Sequence, residues 1–142
     1  MNNLQIKIVT SSDVNELLTL SYQTFYDAFF IPFNSAEDFE AYTSVAFNVE
    51  KLLSEINNPD SVFYFALIDN EKVGYIKLNY SSAQTELQDE NAVEIERIYI
   101  LKTHQGKKIG NQLLDFVDAK AIEAKLHYIW LGVWEHNIDA QR

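Results

Sequence analysis

Val93-Glu-Ile-Glu-Arg-Ile-Tyr-Ile-Leu-Lys-Thr-His-Gln-Gly-Lys-Lys-Ile-Gly-Asn-Gln-Leu-Leu114 reads as a strand that passes through a short turn into a helix. The first N–H groups of a helix have no acceptor within the helix and carry partial positive charge, so such a junction can hold phosphate oxygens. The turn here is Gln105-Gly-Lys-Lys-Ile-Gly110. Gly106 and Gly110 let the backbone approach a ligand and let the helix pack tightly on its strand, and Lys107 and Lys108 add positive charge. An ordinary strand-to-helix connection is the competing reading, since glycine-rich turns before helices are common.

Outward from this junction, Tyr128-Ile-Trp-Leu-Gly-Val-Trp134 is a nearly continuous apolar run, the pattern of a strand at the buried centre of a sheet. Strand, crossover helix and strand predict a parallel pair with a right-handed connection. Upstream, Leu4 to Val9 alternates like a half-buried strand. Ser11 or Ser12 can cap a helix whose stripe is Val14, Leu17, Leu18, Tyr22, Phe25 and Phe29, closed by Pro32. Ser35 and Asn48 open two more helices. Val62 to Ile68 and Lys72 to Leu78 form a hairpin, and Ser81 to Asn91 is a polar, acidic loop at the sheet edge.

Composition bounds the rest. With 142 residues and 47% hydrophobic content, the chain can build one sizeable core, and a single domain over 1–142 is expected. No cysteine is present, which excludes disulfides and thiolate metal sites. Without a leader pattern or an apolar run of the ~20 residues a membrane span needs, the chain reads as soluble and cytoplasmic. Eleven basic against 21 acidic residues give a charge of −10, which disfavours nucleic acid and anionic membrane as partners. A cationic substrate suits that charge, and so does plain solubility.

The junction resembles the acyl-coenzyme-A-binding element of the GNAT superfamily of N-acetyltransferases, Gln/Arg-x-x-Gly-x-Gly/Ala behind a strand of the Glu-Ile-x-Arg-Ile-Tyr-Ile kind. Gln105, Ile109 and Gly110 fit; Lys108 stands where the family usually has Gly. The resemblance covers nearly the whole element order. It implies an α/β fold with a mixed, mostly antiparallel sheet flanked by helices, and a V-shaped opening between parallel strands at 93–101 and 127–134. It also implies that the chain ends before a final helix and two strands. A sheet edge left open there would aggregate or pair with a second copy as a homodimer.

The resemblance further implies acetyl-CoA as cosubstrate and a small-molecule amine as acceptor. It puts Ile98, Tyr99 and Ile100 on the pantetheine arm, and the amides of Gln105, Gly106, Lys107, Lys108, Ile109, Gly110 and Asn111 on the pyrophosphate. Asn137, in a Trp-Glu-x-Asn element, helps hold the cofactor. Glu94 and Glu96 share one face of their strand and are candidate proton acceptors, with a pKa raised if buried among apolar neighbours; pairing with Arg97 or a lysine is the structural alternative. Tyr26 and Asp27, at the end of the first helix, can touch substrate. His104, His127 and His136 lack the spacing of metal ligands, so no metal is expected. Glu37, Asp38, Glu40, Glu86, Asp89 and Glu90 read as solvated surface charges.

With no cysteine for an acyl-enzyme, direct transfer follows. The strand pair looks closest to bacterial diamine or polyamine acetyltransferases of the PaiA type, which makes spermidine or spermine the first acceptors. Another amine (a protein N-terminus, an amino acid or a drug) and a non-catalytic coenzyme-A-binding module are the alternatives.

Overall fold

The computed structural model describes residues 4–29, 35–86 and 88–131. Its elements run β1 (Leu4–Ile8), α1 (Val14–Phe29), α2 (Ala36–Ala46), α3 (Val49–Ile56), β2 (Ser61–Ile68), β3 (Glu71–Tyr80), β4 (Ala92–Ile100), α4 (Ile109–Glu123) and β5 (Tyr128–Leu131). The five strands lie in sequence order in one sheet, antiparallel except for the β4–β5 pair. The expected mixed sheet and parallel pair are therefore present.

Local chemistry explains most boundaries. Ser35 and Asn48 accept hydrogen bonds from the amides of Asp38 (3.1 Å) and Lys51 (2.8 Å), capping α2 and α3. The cap before α1 is Thr10 rather than Ser11 or Ser12: the Asp13 carboxylate accepts from the Thr10 amide (2.9 Å) and hydroxyl (3.1 Å) across a short 3-10 turn, Ser11–Asp13. Asp69 and Asn70 both take positive φ (52° and 68°), the geometry of a tight two-residue hairpin turn that these side chains tolerate.

The sheet buries both faces. Ile76, Leu78, Val93 and Ile95 pack against Ile109, Leu113, Val117 and Ala121 of α4. Phe63, Phe65 and Tyr75 on the other face pack against Leu17 and Leu20 of α1 and Leu52 of α3. A third cluster of Phe25, Phe39 and Phe47 joins α1 to α2 and its C-terminal cap. β5 is not a buried central strand: Tyr128 is exposed, Ile129 to Leu131 are half-buried, and it is the last strand of the sheet among the described residues.

One irregularity decides where side chains point. Lys77 pairs with Arg97 and Leu78 with Ile95, so Glu96 is an extra residue in β4. Such a bulge reverses the in-out alternation beyond it. Val93 and Ile95 face α4 before the bulge and Ile98 and Ile100 after it, whereas Glu94, Arg97 and Tyr99 share the opposite face with Asn79, Lys77 and Tyr75. A polar patch thus forms within one side of the core.

Gly74 faces Ile100 across the ladder, and a Cβ there would lie 2.6 Å from the Tyr99 carbonyl oxygen. Gly74→Ala should force the central strands apart and cost about 1–3 kcal/mol, measured as a lowered urea midpoint with an unchanged m-value.

Candidate active site

β4 enters α4 through a 3-10 turn at Lys102–His104 and the loop Gln105 to Lys108. Gly106 has φ +82°, and an added Cβ would meet nothing within 4 Å, so its backbone is open on that side. Lys108 occupies the N-cap in the left-handed region (φ 63°, ψ 18°) and offers no side-chain cap. That conformation costs a non-glycine residue about 1–2 kcal/mol, which accounts physically for glycine being usual there.

The first helical bond runs from the Gln112 amide to the Lys108 carbonyl (3.2 Å), leaving the amides of Ile109, Gly110 and Asn111 ahead of it without a helical acceptor. Two expectations change. The Gln105 amide is already bound to the Lys102 carbonyl (3.4 Å), and its side chain donates to the Ile100 carbonyl (3.1 Å), so Gln105 ties the loop to β4 rather than presenting its N–H. At Gly110 a Cβ would sit 3.7 Å from Ile100, an ordinary contact, so helix packing there is not tight. Along β4, Ile98, Tyr99 and Ile100 pair with β3 and, among the described residues, have no strand on their other side. Asn137 lies outside the described residues.

The two carboxylates are close neighbours with different surroundings. Glu94, 1% exposed, accepts from the Thr85 amide (2.8 Å), the Thr85 hydroxyl (2.6 Å) and Asn79 Nδ2 (3.0 Å). Glu96 meets the same Asn79 nitrogen (2.7 Å), Lys77 Nζ (2.7 Å) and Arg97 Nη2 (3.4 Å). Burial alone would raise the Glu96 pKa, but the charges of Arg97 and Lys77 and the hydrogen bonds from Lys77 and Asn79 outweigh it and hold the carboxyl below its usual range. Glu96 therefore takes the salt-bridged form, the structural alternative to a proton acceptor.

Glu55 of α3 completes the network at 3.3 Å from both Lys77 and Arg97. The Glu55–Arg97 contact is close enough for Coulomb attraction but not aligned as a hydrogen bond. Burial opposes the charge on Arg97, yet Tyr75, Glu55 and Glu96 together raise its pKa further.

Glu96 and Arg97 open onto a cavity of about 230 Å³ whose other walls are Phe25, Tyr42, Ala46, Phe47 and Tyr99. The Phe25 and Tyr42 rings stack at 5.2 Å, and the Arg97 guanidinium lies 5.5 Å from the Phe47 ring. Burial pushes the Tyr99 hydroxyl well above its usual pKa, with Tyr75 adding to the shift, so Tyr99 is a neutral wall. Tyr26 and Asp27 do not line this cavity. Tyr26 packs edge-on to Phe39 (5.6 Å), Asp27 accepts from Gln23 (2.9 Å), and Phe25, one residue earlier on the helix, lines the cavity.

Sequence reading missed Glu55, Lys77, Asn79 and Thr85. Lys77 and Asn79, two polar residues at alternate positions of an otherwise apolar strand, were the available signal. Among the described residues no group of His, Asp and Glu could hold a metal ion, and no helix is long and apolar enough to cross a membrane. Asp89 is more than a solvated charge: it accepts from Tyr128 of β5 (2.8 Å) and from the Asn91 amide (2.8 Å), which lowers its pKa.

Among the described residues, the edge of β4 away from β3 thus has no strand beside it beyond Ile95 and runs into a helix start with no side-chain cap. The model of the acetyltransferase (GNAT) family matches residues 20–142. This chain belongs to the GNAT family. An uncharacterised N-acetyltransferase from the pepI 3′ region of Lactobacillus delbrueckii subsp. lactis is 41% identical over 141 residues, covering 99% of this chain and 81% of the relative. The PaiA N-acetyltransferase of Thermoplasma acidophilum, solved with coenzyme A, superposes with a TM-score of 0.81 at 23% identity, covering 98% of this chain and 84% of that one. An aminoglycoside acetyltransferase from an uncultured soil metagenomic sample, solved with sisomicin, gives 0.70 at 16% identity, covering 97% and 82%.

The GNAT chain is accordingly an acetyl-CoA-dependent N-acetyltransferase with the α/β fold of that family. The unpaired helix-start amides, the open side of Gly106 and the two adjacent lysines fit an anionic pyrophosphate.

Three outcomes are expected. Lys108→Gly should raise unfolding stability by about 1 kcal/mol by relieving the left-handed conformation, read from denaturant curves. Lys77→Met should lose about 3 kcal/mol or more, because Glu55 and Glu96 keep their charge in a buried site with one cation fewer. Since the folded pKa of Glu96 lies below its ordinary 4.5, its contribution to stability is complete above that pH and is lost as the pH falls through the folded value. Unfolding free energy should therefore decline below pH 4.5 more steeply in the wild type than in Glu96→Gln.

Proposed function

We propose that this GNAT enzyme acetylates a primary amine of a small molecule carrying a second positive charge, with spermidine and spermine as the first acceptors. The observation that carries this reading is the Glu96 carboxylate, kept ionised at the floor of an aromatic-walled cavity. Aromatic faces attract a cation, the Glu96 carboxylate can accept a hydrogen bond from its N–H groups, and the net charge of −10 favours its approach. A permanent anion beside the reacting nitrogen would hold that nitrogen protonated and unreactive. It suits a second, non-reacting ammonium instead. The cavity is smaller than the ~300–1,000 Å³ typical of sites for drug-sized ligands, which fits one arm of a linear amine.

In this reading the amides from Gly106 to Asn111 hold the pyrophosphate, and the open edge of Ile98, Tyr99 and Ile100 lies along the pantetheine as an added strand would. Asn137 serves the same cofactor. Acetyl-CoA supplies a thioester carbonyl: the acceptor nitrogen bonds to it, the carbon–sulfur bond breaks, and the sulfur leaves with its electron pair and takes up a proton. The proton lost from the nitrogen departs to water, with Glu96 fixing the orientation of the acceptor. Glu94, closed off by Thr85 and Asn79, supports the strand from behind.

Thiol release from acetyl-CoA, measured with spermidine, spermine, a short diamine, a monoamine of matched length, an aminoglycoside and a peptide N-terminus, tests the reading. The polyamines should exceed the matched monoamine in kcat/KM by roughly tenfold, the scale of one well-placed cation contact. Equal rates for monoamine and diamine, or a preference for the aminoglycoside or peptide, would sink it.

A further inference from the structure

Asn79 is fully buried and belongs to no contact with coenzyme or acceptor proposed above. Its amide nitrogen donates to Glu94 Oε1 (3.0 Å) and to Glu96 Oε1 (2.7 Å), while its Oδ1 accepts from the Ser61 hydroxyl (3.0 Å). Carboxylates accept only, and a primary amide has two N–H donors, one for each of them. Turning the amide over would aim its oxygen at two anions and away from a hydroxyl donor, so the network itself fixes the orientation.

We propose that Asn79 is a positioning residue: its single amide nitrogen, oriented by Ser61, ties Glu94 to Glu96 and holds the Glu96 carboxylate at the cavity floor. This rests on the reading of the cavity as the acceptor site.

Period two makes such a tie necessary. It leaves two carboxylates two positions apart on one face of β4 within a buried site, where their repulsion is screened less than in water. Asn79 places a neutral double donor between them. Glu94 is further fixed by Thr85, so the amide transmits a rigid reference from the 84–91 loop to Glu96. The other groups around Glu96 are Lys77 and Tyr75 of β3, Arg97 and Tyr99 of β4, Glu55 of α3 and Tyr42 of α2. Lys77 and Arg97 bind Glu55 as well, so they neutralise Glu96 without pinning it alone.

The test uses the full chain with Asn79→Asp and Ser61→Ala. Asn79→Asp keeps the shape but replaces the double donor by a third carboxylate. Carbon-13 NMR of the glutamate carboxyls should then show the Glu96 titration moving up by at least one pH unit, and KM for a diamine should rise about tenfold, the scale of a lost hydrogen bond to a charged group, with kcat changing less. KM for the matched monoamine should change little. Ser61→Ala removes only the hydroxyl that orients the amide, and should move KM for the diamine in the same direction by a smaller factor. A merely structural Asn79 would lower the melting temperature of both variants while leaving the ratio of diamine to monoamine KM unchanged, and in Ser61→Ala, which adds no charge, the Glu96 titration unchanged as well; that result overturns the proposal. If Asn79→Asp does not fold, an unchanged KM ratio in Ser61→Ala overturns it. If the wild type turns over no diamine, the acceptor reading fails, and the carboxyl titrations still decide the role of Asn79.

Discussion

The extra residue at Glu96 is the constraint on which the rest of the site depends. A regular β4 would carry its inward-facing alternation unbroken, and Arg97 and Tyr99 would point toward α4 instead of sharing a face with Glu94. With the bulge, Glu94, Glu96, Arg97 and Tyr99 converge on one side of the sheet, under α1, α2 and α3. The anions and cations there are nearly balanced: Glu55, Glu94 and Glu96 face Lys77 and Arg97. Burying so many charges is tolerable because opposite charges lie within ion-pair distance, even where, as between Glu55 Oε1 and Arg97 Nη1 (3.3 Å), no hydrogen bond is made.

The same strand serves both functional walls without conflict. Its side chains after the bulge line the aromatic cavity, while its backbone edge beyond Ile95, without a β5 partner among the described residues, leads to the helix start. The division falls between side chain and main chain. A surface made of backbone amides tolerates changes of residue type, as with Lys108 at the N-cap of α4. The cavity depends on particular side chains and is free to differ among relatives that share the fold.

Features built from neighbouring residues were readable from the sequence. The Ser35 and Asn48 caps, the Asp69-Asn70 hairpin, and the strand, turn and helix from Val93 onward depend on residues a few positions apart, and each appears where expected. Features set by register or by distant packing were not. The bulge exists only in relation to β3, so neither the convergence of Arg97 with Glu94 nor the part played by Asn79 can be seen along β4 itself. Phe25 and not Tyr26 lines the cavity, because one residue turns a helix by about 100° and only contact with α2 sets the rotation. The depressed pKa of Glu96 draws first on Arg97, its neighbour in sequence, and then on Lys77, nineteen positions away and adjacent in space, so only the second part is hidden along β4.

Gln84 and Thr85 are consecutive residues with separate duties. The Gln84 side chain accepts from Trp130 of β5 (2.7 Å), while the Thr85 amide and hydroxyl grip Glu94. One peptide unit thereby fastens the outer strand β5 and a buried carboxylate of β4. Such a linkage is mechanical rather than chemical: a pull on either strand is felt by the same two residues, and a displacement of them would slacken both contacts together.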